Sequence, residues 1–417
     1  MALSASCAHV RVQPRLSLAD ITAGRAGTGP QLAGLAVVVT DADKDLRAEA
    51  FGLAVIGPDR AMTVDTPVRV ASVSKLITTL GILRLVDAGT LDLDRDVSVY
   101  LGRQLRNPAF PLTPITLRLL LSHQSSITDG GGYFWPLGTR LRDGMTMANW
   151  EAAQPPGRFF SYANLNYGIA AEVMEAATGE RFDKLMTRLV FEPLKMDACY
   201  NWSGCSAAAI SSAAVLYRKG ADETAWAPTG PWVAQIDDLR GVAPLCPVRI
   251  SAPDASCDLR GYVPGSNGTL FSPQGGVRIS ARDLARVARL LLNEGELDGV
   301  RFLAPSTIQT MMTPQWQTGE TPSGETYGGL MRCWGLSIQC LTGDVVGQDQ
   351  PLFPGRSRWW GHLGDAYGAW TGIWIDPVRG RGYVYIVTGT ADDPAKSPGR
   401  HSQFHSYEEA ILSELAR

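Results

Sequence analysis

The chain has 417 residues, of which 45% are hydrophobic and 19% charged, and its formal net charge is −3 at pH 7. This length supports a large core in one or two domains, and the composition is that of an ordinary globular protein. The small negative charge gives no case for a nucleic-acid partner or an anionic membrane surface. We find no apolar run of about 18 residues, so no membrane span is predicted. The N-terminus lacks the basic start and long apolar region of a complete secretory signal.

The N-terminal part of the chain predicts an irregular segment, a β-hairpin and a helix. Residues 1–30 show no clear periodicity. Residues 35–40 are β-branched and apolar, and residues 46–52 return as a second strand after a polar turn. The apolar run at 76–86 predicts a buried helix, because its apolar positions fall on more than one face.

The middle of the chain, residues 90–330, predicts a mostly helical lobe. The segment at 199–265 is rich in Cys, Trp, Pro and Gly and lacks periodicity, so we interpret it as an insertion. His123 follows a short helical pattern and is expected to have a structural role. The other predicted features of this part are helices at 115–122, 165–190 and 280–294, and an aromatic glycine-rich loop at 130–135 that could line a pocket.

The C-terminal part changes character and predicts strands. These strands lie at 333–339, 369–375 and 382–388, and a helix at 406–415 closes the chain. Pairing strands from 33–55 with strands from 330–390 gives one antiparallel sheet. The predicted fold class is therefore α/β (α+β): an antiparallel sheet flanked by helices, plus the helical lobe, all within one domain at 31–417.

The first candidate site is Ser72-x-x-Lys75, at the start of the buried helix. Residues three apart lie on the same helix face, so the two side chains are expected to meet. Serine becomes a good nucleophile only when another group takes its proton, and burial disfavours the lysine cation and so supplies a base. The helix N-terminus adds N–H groups suited to an oxyanion. The alternative is a chance S-x-x-K on an ordinary helix.

Two further candidates lie later in the chain. Tyr162 near a lysine could share its proton and act as a general base, and Asn164 offers a donor and an acceptor to a substrate. In Gly361-His362-Leu363-Gly364, Gly364 would let a substrate approach the backbone, and His362 would face the site. The alternatives are a core tyrosine and a histidine in a surface loop.

The cysteines predict an oxidising compartment. Cys7 stands apart, and the other six form close pairs across turn-rich segments: Cys199–Cys205, Cys246–Cys257 and Cys333–Cys340. Three local disulfides favour a periplasmic or secreted protein. Six unrelated reduced cysteines are the alternative. A zinc site is less favoured, because no C-x-x-C occurs.

Taken together, Ser72-x-x-Lys75, Tyr162-x-Asn164 and His362-x-Gly364 resemble the three motifs of the β-lactamase and penicillin-binding-protein superfamily. The branch with class C β-lactamases, D-aminopeptidases and β-lactamase-like esterases is the most similar. The resemblance covers roughly residues 33–390, and four supporting stretches also match, at 89–93, 120–123, 190–194 and 268–272.

The resemblance implies a site between the helical lobe and the sheet, and an acyl-enzyme mechanism on Ser72. Lys75 and Tyr162 would shuttle the proton, and the backbone N–H groups of Ser72 and Asp365 would form the oxyanion hole. It implies no metal and no organic cofactor. Class C β-lactamases usually have lysine where this chain has His362, and the 199–265 insertion exceeds a minimal core. Strong β-lactamase activity is therefore not expected.

The leading hypothesis is a serine hydrolase of esters, amides or D-amino-acid peptides, acting on small molecules. An acyltransferase using the same acyl-enzyme and a penicillin-binding sensor without turnover are the alternatives. With an ordinary pKa near ~6.5, His362 is expected to be neutral at pH 7 and to become charged on acidification. The sequence does not determine the oligomeric state.

Overall fold

A computed structural model describes residues 16–25, 29–222, 225–235, 244–252, 254–352 and 358–417. Cys7 and part of the 199–265 segment lie outside the described residues. Within the described part of the chain, no helix is both long and apolar enough to cross a bilayer.

The helices form two groups, one packed on the sheet and one in a separate lobe. The α-helices are α1 (Leu18–Thr22), α2 (Val73–Asp87), α3 (Ser98–Leu101), α4 (Leu117–Leu121), α5 (Leu141–Gly144), α6 (Leu165–Thr178), α7 (Phe182–Met186), α8 (Ala207–Ser212), α9 (Ala281–Leu292), α10 (Pro305–Met311) and α11 (Ser406–Leu415). A π-helix covers Thr187–Phe191, and 3₁₀ turns cover Met147–Asn149, Leu259–Gly261, Tyr327–Gly329 and Pro394–Lys396.

The strands are mostly short outside the central sheet. They are β1 (Gly34–Thr40), β2 (Asp45–Val55), β3 (Arg60–Ala61), β4 (Val68–Arg69), β5 (Phe159–Phe160), β6 (Cys199–Tyr200), β7 (Tyr217–Lys219), β8 (Trp232–Ala234), β9 (Val277–Ile279), β10 (Glu296–Leu297), β11 (Val300–Arg301), β12 (Trp316–Gln317), β13 (Ser323–Gly324), β14 (Cys333–Trp334), β15 (Gln339–Cys340), β16 (Trp360–Ala366), β17 (Ala369–Asp376), β18 (Arg381–Val387) and β19 (Gly389–Thr390).

The central sheet joins the two ends of the chain. Its strand order is β12-β14-β15-β16-β17-β18-β1-β2-β3, and every neighbouring pair is antiparallel. The register between β1 and β18 runs from Leu35 opposite Val387 to Thr40 opposite Gly382. The predicted antiparallel sheet of N-terminal and C-terminal strands is thereby confirmed.

Alternation along β1 divides the interior into two cores. Ala36 and Val38 pack in the core that contains α9. Leu35, Val37 and Val39 point to the opposite face, into the core that contains α1 and α11. Since successive strand residues face opposite sides, a strand covered on both faces is buried throughout, as β1 is, and is therefore almost entirely apolar.

Helix α2 lies between the sheet and the lobe. It packs against β16 and β17 on one side and against α6 and α7 on the other. Twelve of its fifteen residues are buried, so the prediction of an all-round apolar, buried helix is confirmed. This placement puts the start of α2, with Ser72, at the boundary of the two halves.

Three local predictions need correction. The 1–30 segment is not wholly irregular, because Ser17 caps α1, a helix too short to show periodicity. The single strand expected at 333–339 is a hairpin of β14 and β15, with Ser337 at φ +57° in the connection. The helix expected at 165–190 ends at Gly179, whose left-handed φ of +70° closes α6.

The larger-scale assignments also change. Helix α9, placed in the lobe by the sequence, packs on β18 and β1, because its apolar stripe faces the sheet. The 199–265 segment is not only an irregular insertion: β6 pairs with β9 beneath the start of α2, and β7 pairs with β8 and β19. Strand β16 carries His362 and Gly364, which agrees with the expectation that His362 faces the site from a strand; no bounds were predicted for that strand.

Candidate active site

Ser72 lies at the N-terminal cap of α2, in a tight turn. The amides of Val73 and Ser74 donate to the carbonyls of Val70 and Ala71 at 3.1 and 2.9 Å, and Ala71 adopts φ +46°. Thr371 on β17 also donates its hydroxyl to Val70 O at 2.9 Å. The sheet therefore fixes the turn that presents Ser72.

Gly364 on β16 packs directly against this turn. A Cβ at residue 364 would lie 3.2 Å from Ser72 N and 2.3 Å from both Val70 O and Thr371 Oγ1. Only a glycine fits, because any side chain would overlap backbone atoms. The next residue, Asp365, follows on the same strand and lines the same cleft as Ser72.

Lys75 is fully buried beneath Ser72. Its Nζ donates to Ser72 Oγ at 2.9 Å, to Asn164 Oδ1 at 2.8 Å and to the main-chain oxygen of Gln274 at 3.0 Å. Burial lowers the pKa of Lys75 to about 7, against the opposing effect of the Asp129 carboxylate. A large fraction of this side chain is therefore neutral near pH 7 and can accept a proton.

Tyr162 contacts both Ser72 and Lys75. Lys75 Nζ lies 4.8 Å from the centroid of the Tyr162 ring. Burial raises the pKa of Tyr162 well above its usual value, although a hydrogen bond with Ser72 acts in the opposite direction. The ring stacks on His123 with centroids 4.3 Å apart, which supports a structural role for that histidine. The electrostatics therefore favour a neutral phenol over a phenolate.

Asn164 is held at both ends of its amide. Its Oδ1 accepts from Lys75, while its Nδ2 and its backbone N–H donate to Asp129 Oδ2, both at 2.9 Å. Asp129 Oδ1 also accepts from the backbone N–H of Leu165 at 2.9 Å. Because both polar atoms of the Asn164 amide have protein partners, this side chain serves mainly to position Lys75 and less to bind a substrate. Sequence reasoning missed Asp129, whose only local signal is that it precedes the glycines at 130–132.

His362 lies on β16 with 1% of its surface exposed. Its Nδ1 donates to Leu363 O at 2.5 Å, so Nε2 is left as an acceptor. Burial, reinforced by the Lys75 charge, lowers the pKa of His362 to about 3. The expectation that mild acid charges this histidine is therefore wrong.

The predicted residues meet around one cleft of about 700 Å³. Lys75 lies below its floor. Trp334 forms part of the apolar wall, and Tyr133 from the 130–135 loop lines it, as that loop's aromatic composition suggested. The predicted residues that line the cleft are Ser72, Tyr162, Asn164, His362, Gly364 and Asp365.

The six described cysteines form three disulfides, in the pairs expected from the sequence. The Cα–Cα distances are 5.1 Å for Cys199–Cys205, 5.6 Å for Cys246–Cys257 and 5.0 Å for Cys333–Cys340. The third bridge joins β14 to β15, next to Trp334. It therefore braces one wall of the cleft.

A sequence model of the beta-lactamase family matches residues 21–405. The chain belongs to the beta-lactamase family. The family and fold expected from the ordered motifs are therefore confirmed, and the relatives of this beta-lactamase family member include hydrolases of several kinds.

Two relatives and one solved structure illustrate the range. The D-alanyl-D-alanine-carboxypeptidase/endopeptidase AmpH of Escherichia coli K12 is 30% identical over 176 residues, which are 40% of this chain and 45% of AmpH. This chain therefore matches less than half of AmpH. Esterase EstB of Burkholderia gladioli is 26% identical over 390 residues, 88% of each chain. A class C beta-lactamase from Rhodobacter sphaeroides shares the fold, with a TM-score of 0.62 and 18% identity over 92% of this chain and 94% of the other.

Proposed function

We propose that this protein is a serine hydrolase that cleaves ester or amide bonds through an acyl-enzyme on Ser72. The observation that carries the proposal is the buried Lys75 Nζ, 2.9 Å from Ser72 Oγ, with a pKa of about 7. A base with a pKa near the working pH is the most efficient for general-base catalysis.

In this mechanism neutral Lys75 removes the proton of Ser72 as Oγ attacks the substrate carbonyl. Tyr162 contacts the same hydroxyl and relays the proton as a neutral phenol to the leaving group. The backbone N–H groups of Ser72 and Asp365 bind the oxyanion, with Gly364 keeping β16 close to the turn. Water then attacks the acyl-enzyme carbonyl and gives a proton to Lys75. Lys75 passes that proton to Ser72 Oγ as the bond between the acyl carbon and Oγ breaks, and the acid leaves.

The substrate proposed first is a neutral ester or amide. His362 remains uncharged and offers an acceptor, so this wall of the cleft supplies no fixed cation to a β-lactam carboxylate. EstB, named as an esterase, aligns over most of both chains, which supports ester hydrolysis more than the shorter match to AmpH supports peptidase activity. The three disulfides support a periplasmic or secreted location.

The test is a panel of 4-nitrophenyl esters, D-amino-acid amides and a chromogenic cephalosporin. Wild-type protein should turn over an ester many times per site, and Ser72→Ala should remove turnover without unfolding the chain. Lys75→Ala and Tyr162→Phe should each lose nearly as much, without additivity, since the three groups act as a unit. Ester turnover by Ser72→Ala would overturn the proposal.

The same panel separates the alternatives. A stoichiometric burst with no further product would indicate a sensor that stays acylated. Product partitioning to an added alcohol would indicate acyl transfer. Mass spectrometry of rapidly quenched protein should find the acyl group on the peptide that contains Ser72.

A further inference from the structure

A second cavity, of about 470 Å³, lies in the helical lobe; we name it the lobe pocket. Its walls come from the end of α3, the segment at 137–142, Glu172 on α6 and the segment at 258–266. It has the size of a typical small-molecule site and shares no described lining residue with the catalytic cleft. The lobe pocket is therefore a separate compartment from the one that holds Ser72.

The wall at 258–266 is fixed to α6. Glu175 on that helix is buried, and its Oε2 accepts from Tyr262 Oη at 2.5 Å and from the backbone N–H of Gly265 at 2.8 Å. The backbone N–H of Leu141 donates to Ser266 O at 2.9 Å, which ties the wall at 137–142 to the same segment. These hydrogen bonds preorganise the walls of the lobe pocket.

We propose that the lobe pocket binds a small organic anion. The carboxylate or phosphate group of that ligand contacts the arginines of the pocket, and its apolar body packs on the hydrophobic side chains. This binding site goes beyond the proposed hydrolase function and does not depend on it. The arguments are the available N–H donors of the arginines, the state of the buried Glu172 and the apolar part of the walls.

Three arginines line the lobe pocket: Arg103, Arg140 and Arg142. The side chain of Arg140 is exposed and has no hydrogen bond, ion pair or ring contact within the described part of the chain. Arg142 pairs with the exposed Asp143 at 3.1 Å, and an exposed ion pair of this kind contributes little. Both guanidinium groups can therefore offer N–H donors to an anion, and their planar shape suits a carboxylate or a phosphate.

Arg103 keeps donors for a second anion although Glu172 holds it. The Glu172 side chain is 3% exposed, and both of its oxygens accept from Arg103 Nη2 at 3.0 Å. The Nε and Nη1 groups of Arg103 have no partner among the described residues. Burial raises the pKa of Glu172 to about 7, although the charges of Arg103 and Arg142 act in the opposite direction. The carboxylate is therefore partly protonated near pH 7 and does not fully cancel the charge of Arg103.

Asp258 is the other acidic residue among the described lining residues. It has a cation of its own, because its carboxylate accepts from Arg260 Nε at 2.9 Å and from Arg260 Nη2 at 2.8 Å. Three arginines thus share the lobe pocket with two carboxylates, one of which is paired with a further arginine while the other is partly protonated. This balance of charge favours an anionic ligand.

Part of the wall is apolar. Leu101, Leu137 and Val263 line the lobe pocket beside the arginines, and Val263 is 66% exposed. A ligand that covers these side chains gains affinity from the apolar surface that it removes from water. A bare ion gains nothing from them, so the walls favour an anion that carries an apolar body.

The test is calorimetry with matched ligands. Benzoate and phenyl phosphate carry an anion on an aromatic ring, benzamide has the ring without the charge, and acetate and inorganic phosphate have the charge without the ring. At least one aromatic anion should bind roughly tenfold more tightly than benzamide, the scale of a charge-assisted hydrogen bond, and more tightly than its counterpart without the ring. The tighter of the two aromatic anions identifies the preferred oxyanion. Absence of binding by both aromatic anions, or equally tight binding of benzamide, would overturn the inference.

Arg140→Gln locates the binding in the lobe pocket, because Arg140 does not line the catalytic cleft. It should weaken binding of the aromatic anion by roughly tenfold and leave hydrolysis of 4-nitrophenyl acetate unchanged. The matched control is Arg158→Gln, an exposed arginine outside the lobe pocket, which should change neither value. Unchanged binding in Arg140→Gln would overturn the inference.

Glu172→Gln gives a test of opposite sign. The amide keeps the size of the side chain and removes a negative charge from the wall, so the aromatic anion should bind more tightly. Weaker binding in a variant with the same thermal unfolding temperature as the wild type would show that the pocket does not select anions. The same titrations with Ser72→Ala protein should give the wild-type affinity, so that a failed lobe pocket is distinct from a failed hydrolase.

Discussion

Asp129 should set part of the pH dependence of the proposed hydrolase through Lys75. The negative charge of Asp129 opposes the effect of burial on the pKa of Lys75, which is about 7. The Asn164 amide joins the two groups, accepting from Lys75 Nζ at 2.8 Å and donating to Asp129 Oδ2 at 2.9 Å. Asp129→Asn removes the charge and keeps the size of the side chain.

The magnitude follows from this geometry. Two hydrogen bonds and the width of one amide place the charges roughly 6–8 Å apart. At an effective dielectric constant of about 20–40, such a pair interacts by ~1–3 kcal/mol, or ~1–2 pKa units. Removing the negative charge disfavours the Lys75 cation and lowers its pKa. Since the base must be neutral, the acid limb of kcat/KM should lie near pH 7 in the wild type and should move to lower pH by about 1 unit or more in the variant.

The assay is kcat/KM for 4-nitrophenyl acetate from about pH 5 to about pH 9, with each variant normalised to its own plateau. A lower plateau of kcat/KM alone would reflect weaker orientation of Asn164. The quantity that tests the reasoning is therefore the pH at which the acid limb lies. Asp143→Asn, an exposed carboxylate that pairs with Arg142 at 3.1 Å outside the cleft, is the control and should leave the limb in place. An unchanged limb, or one moved to higher pH, in Asp129→Asn would refute the reasoning.

Three further predictions concern the frame of the site. Gly364→Ala should abolish turnover and lower the free energy of unfolding by ~1–3 kcal/mol, because a Cβ there overlaps neighbouring atoms. Gly261→Ala, where a Cβ meets nothing within 4 Å, should change neither value. Joint replacement of Cys333 and Cys340 by Ala should cost ~2–3 kcal/mol in chemical denaturation, and an unchanged unfolding midpoint would contradict a stabilising bridge. NMR of the His362 ring should show no titration between about pH 5 and about pH 8, because its pKa is about 3; an inflection near ~6.5 would contradict the burial argument.

The sequence was sufficient to predict an element or a pair of site residues where the pattern that indicates it is local or repeats along the chain. Short runs of β-branched and apolar residues predicted β1, β17 and β18, and the three-residue spacing of Ser72 and Lys75 placed both on one helix face. The same reasoning gave no bounds for β16, because glycines that admit a close backbone contact interrupt its apolar pattern. The short helix α1 gave too few residues for a period.

By itself the sequence predicted the antiparallel sheet and the cysteine pairs from pattern and spacing, and its resemblance to known motifs indicated the family and the residues around the cleft. Only the tertiary structure decided the long-range contacts and the protonation states of the residues around the cleft. Asp129 reaches Asn164 from a separate loop, and Gln274 reaches Lys75 across 199 residues of chain. The lowered pKa values of Lys75 and His362 depend on burial, which results from packing between the sheet and the lobe. Neither long-range contact nor loss of water has a local pattern in the sequence, because both arise only when distant segments come together.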